Sequence, residues 1–359
     1  MNIVFIGGVD HGKSTLIGRI LLDTGSLHPK KLKEIKEISK ELGKETEIAY
    51  ITDQLKEERE ENRTIDTTQI FFNFHRQKYL IVDTPGHEEF IKNMITGATY
   101  ADTGLLIIDA KKGVEGQTKR HAFILGMIGI KHIIVCFNKM DMIDYDQNIF
   151  KSLKQKTLEL LHQLEIYPRF CIPVSATKGI NILKRSKAMP WYKSQSLLKA
   201  VEQIKKEKGR KKKEYLRLPV QDIYKQNNQK IIVGKIISGS LKKGEEIYFL
   251  PKRCKTRVKE IKIFGKKKKI ACKNENIGII IGKYTFLVNR GDIITSVNNT
   301  PDIVNQFCCN LFWLSKEPLK LNQQITVRSS TQKANGIVVN ITNRIDTSSL
   351  ELITKQQIF

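Results

Sequence analysis

The chain has 359 residues, with 62 Lys and Arg against 37 Asp and Glu, a formal net charge of +25. A composition of 40% hydrophobic and 28% charged residues excludes a disordered polyelectrolyte, and no apolar run is long enough to span a bilayer. The length allows two or three domains with sizeable cores.

The positive excess invites a nucleic-acid reading, but it gathers in lysines of loops and linkers, Lys205–Lys213 and Lys266–Lys269, in a chain rich in Lys throughout. It is read as a solvated surface and not as a nucleic-acid face. The six cysteines, Cys136, Cys171, Cys254, Cys272, Cys308 and Cys309, show no metal-type spacing and no CxxC. They read as reduced thiols. The first strand starts at once, without a basic leader, so a cytoplasmic location is expected.

The apolar, β-branched run Asn2–Ile6 predicts a buried strand, and Leu16–Leu22 predicts the start of a helix. Between them lies Gly7-Gly8-Val9-Asp10-His11-Gly12-Lys13-Ser14-Thr15, a Gly-rich loop between strand and helix. Such a loop closes backbone N–H groups around a phosphate, and the helix N-terminus adds its positive dipole. Gly7, Val9, Asp10, His11, Gly12, Lys13, Ser14 and Thr15 are therefore assigned to nucleotide binding. Lys13 can reach the β- and γ-phosphates, and the Ser14 hydroxyl can ligate Mg²⁺.

Leu32, Ile35, Ile38 and Leu42 keep helical spacing in the Lys- and Glu-rich stretch 25–61. The charged stretch Lys56–Asp66 follows and reads as a mobile loop. Its Thr64 can complete Mg²⁺ coordination when a γ-phosphate is present, which would make the loop a switch. Gln69–Phe74 and Tyr79–Val82 predict two strands joined at Arg76-Gln77, and the second leads into Asp83-Thr84-Pro85-Gly86-His87. Asp83 is placed to hold Mg²⁺ through water, the Gly86 N–H to meet the γ-phosphate, and His87 to orient the attacking water.

A helix at Glu88–Gly97, a strand at Thr103–Asp109, a helix at Gln117–Met127 and a strand at His132–Phe137 come next. The last ends in Asn138-Lys139-Met140-Asp141. The Asp141 carboxylate can accept from guanine N1–H and the exocyclic amine, a pattern adenine does not offer. Asn138 can bond the base edge and hold the phosphate loop, and the Lys139 stem can lie on the purine face. The strand Phe170–Val174 runs into Ser175-Ala176-Thr177, where the Ala176 N–H can donate to guanine O6. Strands alternating with helices imply an α/β domain with a mostly parallel sheet and its ligand at the carboxyl ends of the strands. Four motifs in this order, each at a strand end, point to GTP with Mg²⁺.

These residues carry a resemblance: residues 1–204 resemble the GTPase domain of the translation-factor class that includes elongation factor Tu. Further stretches resemble the GTPase subunit of ATP sulfurylase (sulfate adenylyltransferase). They include Gly18-Arg19, Glu58-Arg59-Glu60, Lys119-Arg120-His121, Met189-Pro190-Trp191-Tyr192 and Arg217-Leu218-Pro219-Val220-Gln221. The resemblance implies a smaller partner subunit that binds ATP and sulfate and makes adenosine 5′-phosphosulfate and pyrophosphate. GTP hydrolysis here would drive that uphill reaction, with Lys13, Thr64 and His87 in the catalytic roles. The alternative is an elongation-factor-like GTPase that binds aminoacyl-tRNA. Asn62-Arg63 departs from the Gly-Ile common in the class, where the Ile forms an apolar gate with Val9 beside His87.

Residues 205–214 read as a charged linker. Beyond it, the runs Ile231–Ile237, Glu245–Leu250, Val258–Phe264 and Ile277–Ile281 with intervening glycines predict an antiparallel β-barrel over 215–300. Strands at Cys308–Ser315, Gln324–Arg328 and Asn335–Thr342 would begin a second, partial barrel over 301–359, shorter than the family's.

Overall fold

The computed structural model describes residues 1–27, 30, 33, 68–84, 91–99, 101–208, 214–226, 229–263, 266–282, 288–315 and 317–345. The chain divides into two compact units, Met1–Gly209 with Asn343–Phe359, and Arg210–Thr342.

The first unit is a six-stranded sheet with helices. In chain order the elements are β1 (Asn2–Gly7), α1 (Lys13–Asp23), β2 (Thr68–Phe74), β3 (Gln77–Asp83), α2 (Ile91–Thr99), β4 (Thr103–Asp109) and α3 (Gly116–Ile128). Then follow β5 (Ile133–Asn138), a 3₁₀ turn at Met140–Ile143, α4 (Gln147–Gln163), β6 (Phe170–Pro173) and α5 (Leu197–Lys208). The sheet order is β2-β3-β1-β4-β5-β6. Only the β2–β3 pair is antiparallel.

The central strands are apolar on both faces because helices cover both sides of such a sheet. Val4, Ile6, Leu106, Ile107, Ile134 and Val135 have no exposure at all. Each such side chain contributes about 1.5–3 kcal/mol relative to exposure. Helix α1 buries Leu16, Ile17, Ile20 and Leu21, the i, i+1, i+4, i+5 face that its pattern predicts. Helix α3 begins with a capping box between Glu115 and Thr118. It ends where Gly129 turns left-handed (φ 77°) and Ile130 N–H bonds the Leu125 carbonyl.

The β2–β3 turn falls one residue earlier than the sequence reading. His75 and Arg76 occupy it with φ of 46° and 61°, the double left-handed geometry that matches strand twist. Helix α5 runs to Lys208, into the stretch read as linker.

The second unit contains a barrel made of β7 (Arg217–Gln226), β8 (Gln229–Lys235), β10 (Glu246–Leu250), β11 (Cys254–Ile263), β14 (Asn276–Ile281) and β15 (Ile293–Ser296). The ring runs β10-β15-β7-β8-β14-β11 and closes by β10–β11 pairing. Short strands β9 (Ser240–Lys242), β12 (Lys266–Lys268) and β13 (Ile270–Cys272) flank it. Leu218, Val220, Ile232, Ile247, Phe249, Val258, Ile261, Ile279 and Ile294 fill the interior. Val258 and Ile261 are three apart yet both point inward, because a bulge between Val258 and Glu260 shifts the register.

Beyond the barrel the described residues hold one antiparallel hairpin, β16 (Gln324–Ser329) with β17 (Gln332–Ile337). The strand expected at Cys308–Ser315 does not form; that stretch is almost wholly exposed and has no ladder partner. The strand expected at Asn335–Thr342 stops at Ile337. All six cysteines are free, and only Cys136 is fully buried.

Candidate nucleotide-binding site

The carboxyl ends of the parallel strands bring the polar residues of the first unit together. β1 ends at Gly7, β3 at Asp83, β4 at Asp109 and β5 at Asn138, and the Ser175 loop follows β6. This is the edge where open α/β sheets bind ligands.

The loop from Gly7 to Gly12 is held from several sides. Lys13 Nζ donates to the Gly7 and Gly8 carbonyls at 2.7 and 2.8 Å, so the ammonium already lies over the loop. The Val9 N–H donates to Gln117 Oε1 at 3.1 Å. Gly12 has φ 87°, and a Cβ there would stand 2.4 Å from Asn138 Nδ2. Position 12 therefore needs glycine both for its backbone and for the neighbour that fills the space. Asp10 is exposed and left-handed, with φ 62°. Ser14 and Thr15 lie in the first turn of α1.

His11 was assigned to nucleotide binding, yet its ring is fully buried. Nδ1 lies 3.0 Å from the Ile107 carbonyl and Nε2 lies 2.9 Å from Glu115 Oε2. The imidazole braces the loop from beneath, which leaves the backbone as the part of His11 that can meet a ligand. Behind it sits His121, buried with Nδ1 unpartnered among the described residues. Burial, with smaller effects from Lys13, His11 and Arg120, lowers its pKa to about 3, so it is neutral at pH 7.

Asn138 is buried and tied at both ends of its amide. Nδ2 donates to the His11 carbonyl at 3.0 Å, and Oδ1 accepts from the Ala176 N–H at 3.0 Å. One side chain thus links the phosphate loop to the Ser175 loop. The Ala176 N–H expected to serve guanine O6 is therefore engaged, and would reach O6 by sharing this bond. Ser175 Oγ lies 3.1 Å from Thr177 Oγ1 and accepts from Lys178 N–H.

Lys139 Nζ stands 2.7 Å from Asp109 Oδ2. Burial alone would raise the Asp109 pKa. The Lys139 hydrogen bond and the N–H groups of Lys111 and Lys112 outweigh it and hold the carboxyl below its usual range. Asp141 lies in the 3₁₀ turn, with Oδ2 3.4 Å from Thr177 Oγ1. Its Oδ1 is buried and has no hydrogen-bond partner among the described residues. A buried carboxylate oxygen without a donor is costly. A ligand with adjacent N–H donors would supply what it lacks.

Asp83 is nearly buried and in register with Phe5 of β1, and Thr84 Oγ1 donates to the Phe5 carbonyl at 2.7 Å. Thr64, Gly86 and His87, with Asn62 and Arg63, lie outside the described residues. Among the described residues no three His, Cys, Asp or Glu side chains cluster as a metal cage. Mg²⁺ does not require one, since it is commonly held by one or two protein oxygens plus substrate phosphates. Ser14 and Asp83 are of that kind.

Sequence reasoning passed over Asp109, Gln117, Arg19 and Thr177 as site residues. Asp109 carried a usable signal, an acid closing an apolar strand just as Asp83 does. Gln117 carried none, and neither did the Thr177 contact to Asp141, because Val9 and Asp141 lie far off in sequence.

A parallel sheet with a glycine phosphate loop, an Asn-Lys-x-Asp turn and a supporting Ser-Ala-Thr loop makes this unit a P-loop GTPase domain. Residues 1–207 match the family model of the elongation factor Tu GTP binding domain, and residues 229–295 match elongation factor Tu domain 2. Sulfate adenylyltransferase subunit 1 of Alteromonas mediterranea is 35% identical over 349 residues, 96% of this chain and 74% of the relative. The subunit 1 of Aliarcobacter butzleri is 36% identical over 98% of this chain and 76% of the relative. Elongation factor 1-alpha of Pyrococcus furiosus is 41% identical over 312 residues, 85% of this chain and 72% of the relative. The chain belongs to the elongation factor Tu-type GTPase family and resembles sulfate adenylyltransferase subunit 1 over nearly all its length. Among the described residues no helix is long and apolar enough to cross a membrane.

Proposed function

We propose that this chain is the GTPase subunit of a sulfate adenylyltransferase. It would hydrolyse GTP to drive the formation of adenosine 5′-phosphosulfate and pyrophosphate from ATP and sulfate on a partner small subunit. The observation that carries the reading is the span of likeness: the two subunit 1 relatives align with 96 and 98% of the chain, the elongation factor with 85%. In this reading both reactions take place in the cytoplasm.

In this assignment Lys13 binds the β- and γ-phosphates, together with the backbone of Gly7, Val9, Asp10, His11 and Gly12. Ser14, Asp83 and Thr64 would hold Mg²⁺, which supplies charge neutralisation at the phosphates. His87 orients the attacking water and Gly86 meets the γ-phosphate. Asp141 reads the guanine edge, with Asn138, Lys139, Ser175 and Ala176 shaping the base pocket. Coupling would run through conformations with different affinities in the GTP and GDP states.

A second reading, a translation factor binding aminoacyl-tRNA, draws on the 41% identity to elongation factor 1-alpha. One experiment separates the two. Adenosine 5′-phosphosulfate formation is measured with a candidate small subunit, with and without this chain and GTP. A steep GTP-dependent rise that His87→Ala removes supports the first reading. Product formation indifferent to this chain, with tight GTP-dependent binding of aminoacyl-tRNA, establishes the second.

A further inference from the structure

A groove of about 500 Å³ lies on the first unit, between helix α4, the start of β6 and the Trp191–Ser194 loop. It takes no part in the nucleotide site. Its floor is apolar and fixed. The Trp191 indole N–H donates to the Tyr145 carbonyl at 3.0 Å, and its ring leans on Phe150 at 5.1 Å between centroids. Phe150 in turn stands edge-on to Phe137 at 5.4 Å. Tyr192 is nearly buried, and its hydroxyl donates to the Gln195 carbonyl.

The rim is basic. Lys151 and Lys154, one turn apart on α4, face the groove together with Lys193 and Arg169, and no acidic residue lines it. Arg169 is paired with Glu207 at 2.9 Å. Lys151, Lys154 and Lys193 have no carboxylate partner among the described residues. Several lysines of the barrel, by contrast, sit in ion pairs. There Glu246 takes Lys255 and Arg257, Glu260 takes Lys267, Glu275 takes Lys268 and Glu214 takes Lys273.

We propose that this groove is a docking site for an acidic polypeptide segment of a partner protein, an apolar side chain in the trough and carboxylates at the rim. The charge arrangement selects this occupant. Three ammonium groups without a carboxylate partner among the described residues, spread around an apolar floor, match side chains spaced along an extended chain. A compact phosphate cluster prefers convergent donors. The backbone N–H groups of Asn148 and Ile149 at the α4 N-terminus are capped by the Asp146 carboxylate and do not line the groove. The Trp191 ring packs against Phe150 and is held at its edge, so it is not a free platform for stacked bases.

The test uses the full chain with Trp313→Phe, which leaves Trp191 as the single tryptophan of the two present. The probe is a synthetic peptide in which one Leu is flanked on each side by Asp and Glu. Comparison ligands are its Lys counterpart, tripolyphosphate and a short single-stranded RNA. The acidic peptide is expected to shift Trp191 emission saturably. Its dissociation constant should rise at least tenfold in Lys151→Glu/Lys154→Glu, while GDP binding and the thermal midpoint stay at the parent values. Absence of the shift in protein that binds GDP overturns the proposal. So does equal affinity for the charge-reversed variant, or tighter binding of tripolyphosphate or RNA than of the peptide.

Discussion

Arg19 Nε donates to the Ala176 carbonyl at 3.0 Å across a separation of 157 residues. The same guanidinium donates through Nη2 to the Thr177 carbonyl. Arg19 lies on the helix that begins at the phosphate loop, and Ala176 on the loop placed beside the base. The two halves of the site are therefore bound together by one side chain as well as by Asn138. Hydrogen bonds from a charged donor are worth about 1.5–3 kcal/mol when well shielded, and less where water reaches them. Arg19→Ala is expected to weaken GDP binding about tenfold with the fold intact, read by displacement of a fluorescent GDP analogue. Unchanged affinity would mean that Asn138 alone sets the loop.

Gly12→Ala meets two obstacles at once. The residue must hold φ 87°, and its Cβ would fall 2.4 Å from Asn138 Nδ2. A left-handed non-glycine residue costs roughly 1–2 kcal/mol, and displacing Asn138 breaks both of its buried bonds. GDP affinity should fall by about a hundredfold or more, measured by calorimetric titration. An unaltered dissociation constant would contradict the described path of the loop.

Asp141→Asn turns an acceptor into an amide that can also donate. The buried Oδ1 has no donor among the described residues, so its partner would come from the base. The variant is expected to lose GDP affinity about a hundredfold, at roughly 1.4 kcal/mol per tenfold, and to gain affinity for xanthosine diphosphate. Competition between the two nucleotides reads this out. Retained preference for guanosine would place base recognition elsewhere.

His121 makes stability depend on pH. Its pKa falls from 6.5 to about 3 on folding, chiefly by burial. The unfolded chain therefore binds the proton more readily between these values. The stability present above pH 6.5 is lost progressively as pH falls toward 3. His121→Gln, neutral throughout, should show a smaller drop in thermal midpoint between pH 7 and pH 5 than the parent. Equal drops in the two proteins would mean that the ring titrates normally in the folded state.

The central strands of the first unit were legible because they are buried on both faces. Asn2–Ile6, Thr103–Asp109 and His132–Phe137 are continuous apolar runs, and each lies within a residue of the observed strand. Helix α4 was not read, because its polar surface positions outnumber the four residues it buries, Phe150, Leu153, Thr157 and Leu161. The barrel strands were legible as short β-branched runs separated by glycine-bearing turns. The run Cys308–Ser315 has the same composition as a strand, but the ladder and core that would hold it there are lacking among the described residues.

The sequence alone determined the class of chemistry. Phosphate and base recognition depend on residue types at short fixed spacings, Gly12-Lys13-Ser14 and Asn138-Lys139-Met140-Asp141, and spacing is local. Tertiary structure alone decided which bonds those residues make. His11 turned beneath the loop onto Glu115, Ala176 N–H went to Asn138, Lys139 to Asp109, and Arg19 to the loop after β6. Each pairing joins residues far apart in the chain, and burial drives most polar groups at the strand ends to find a partner there. No local pattern can state which partner it finds.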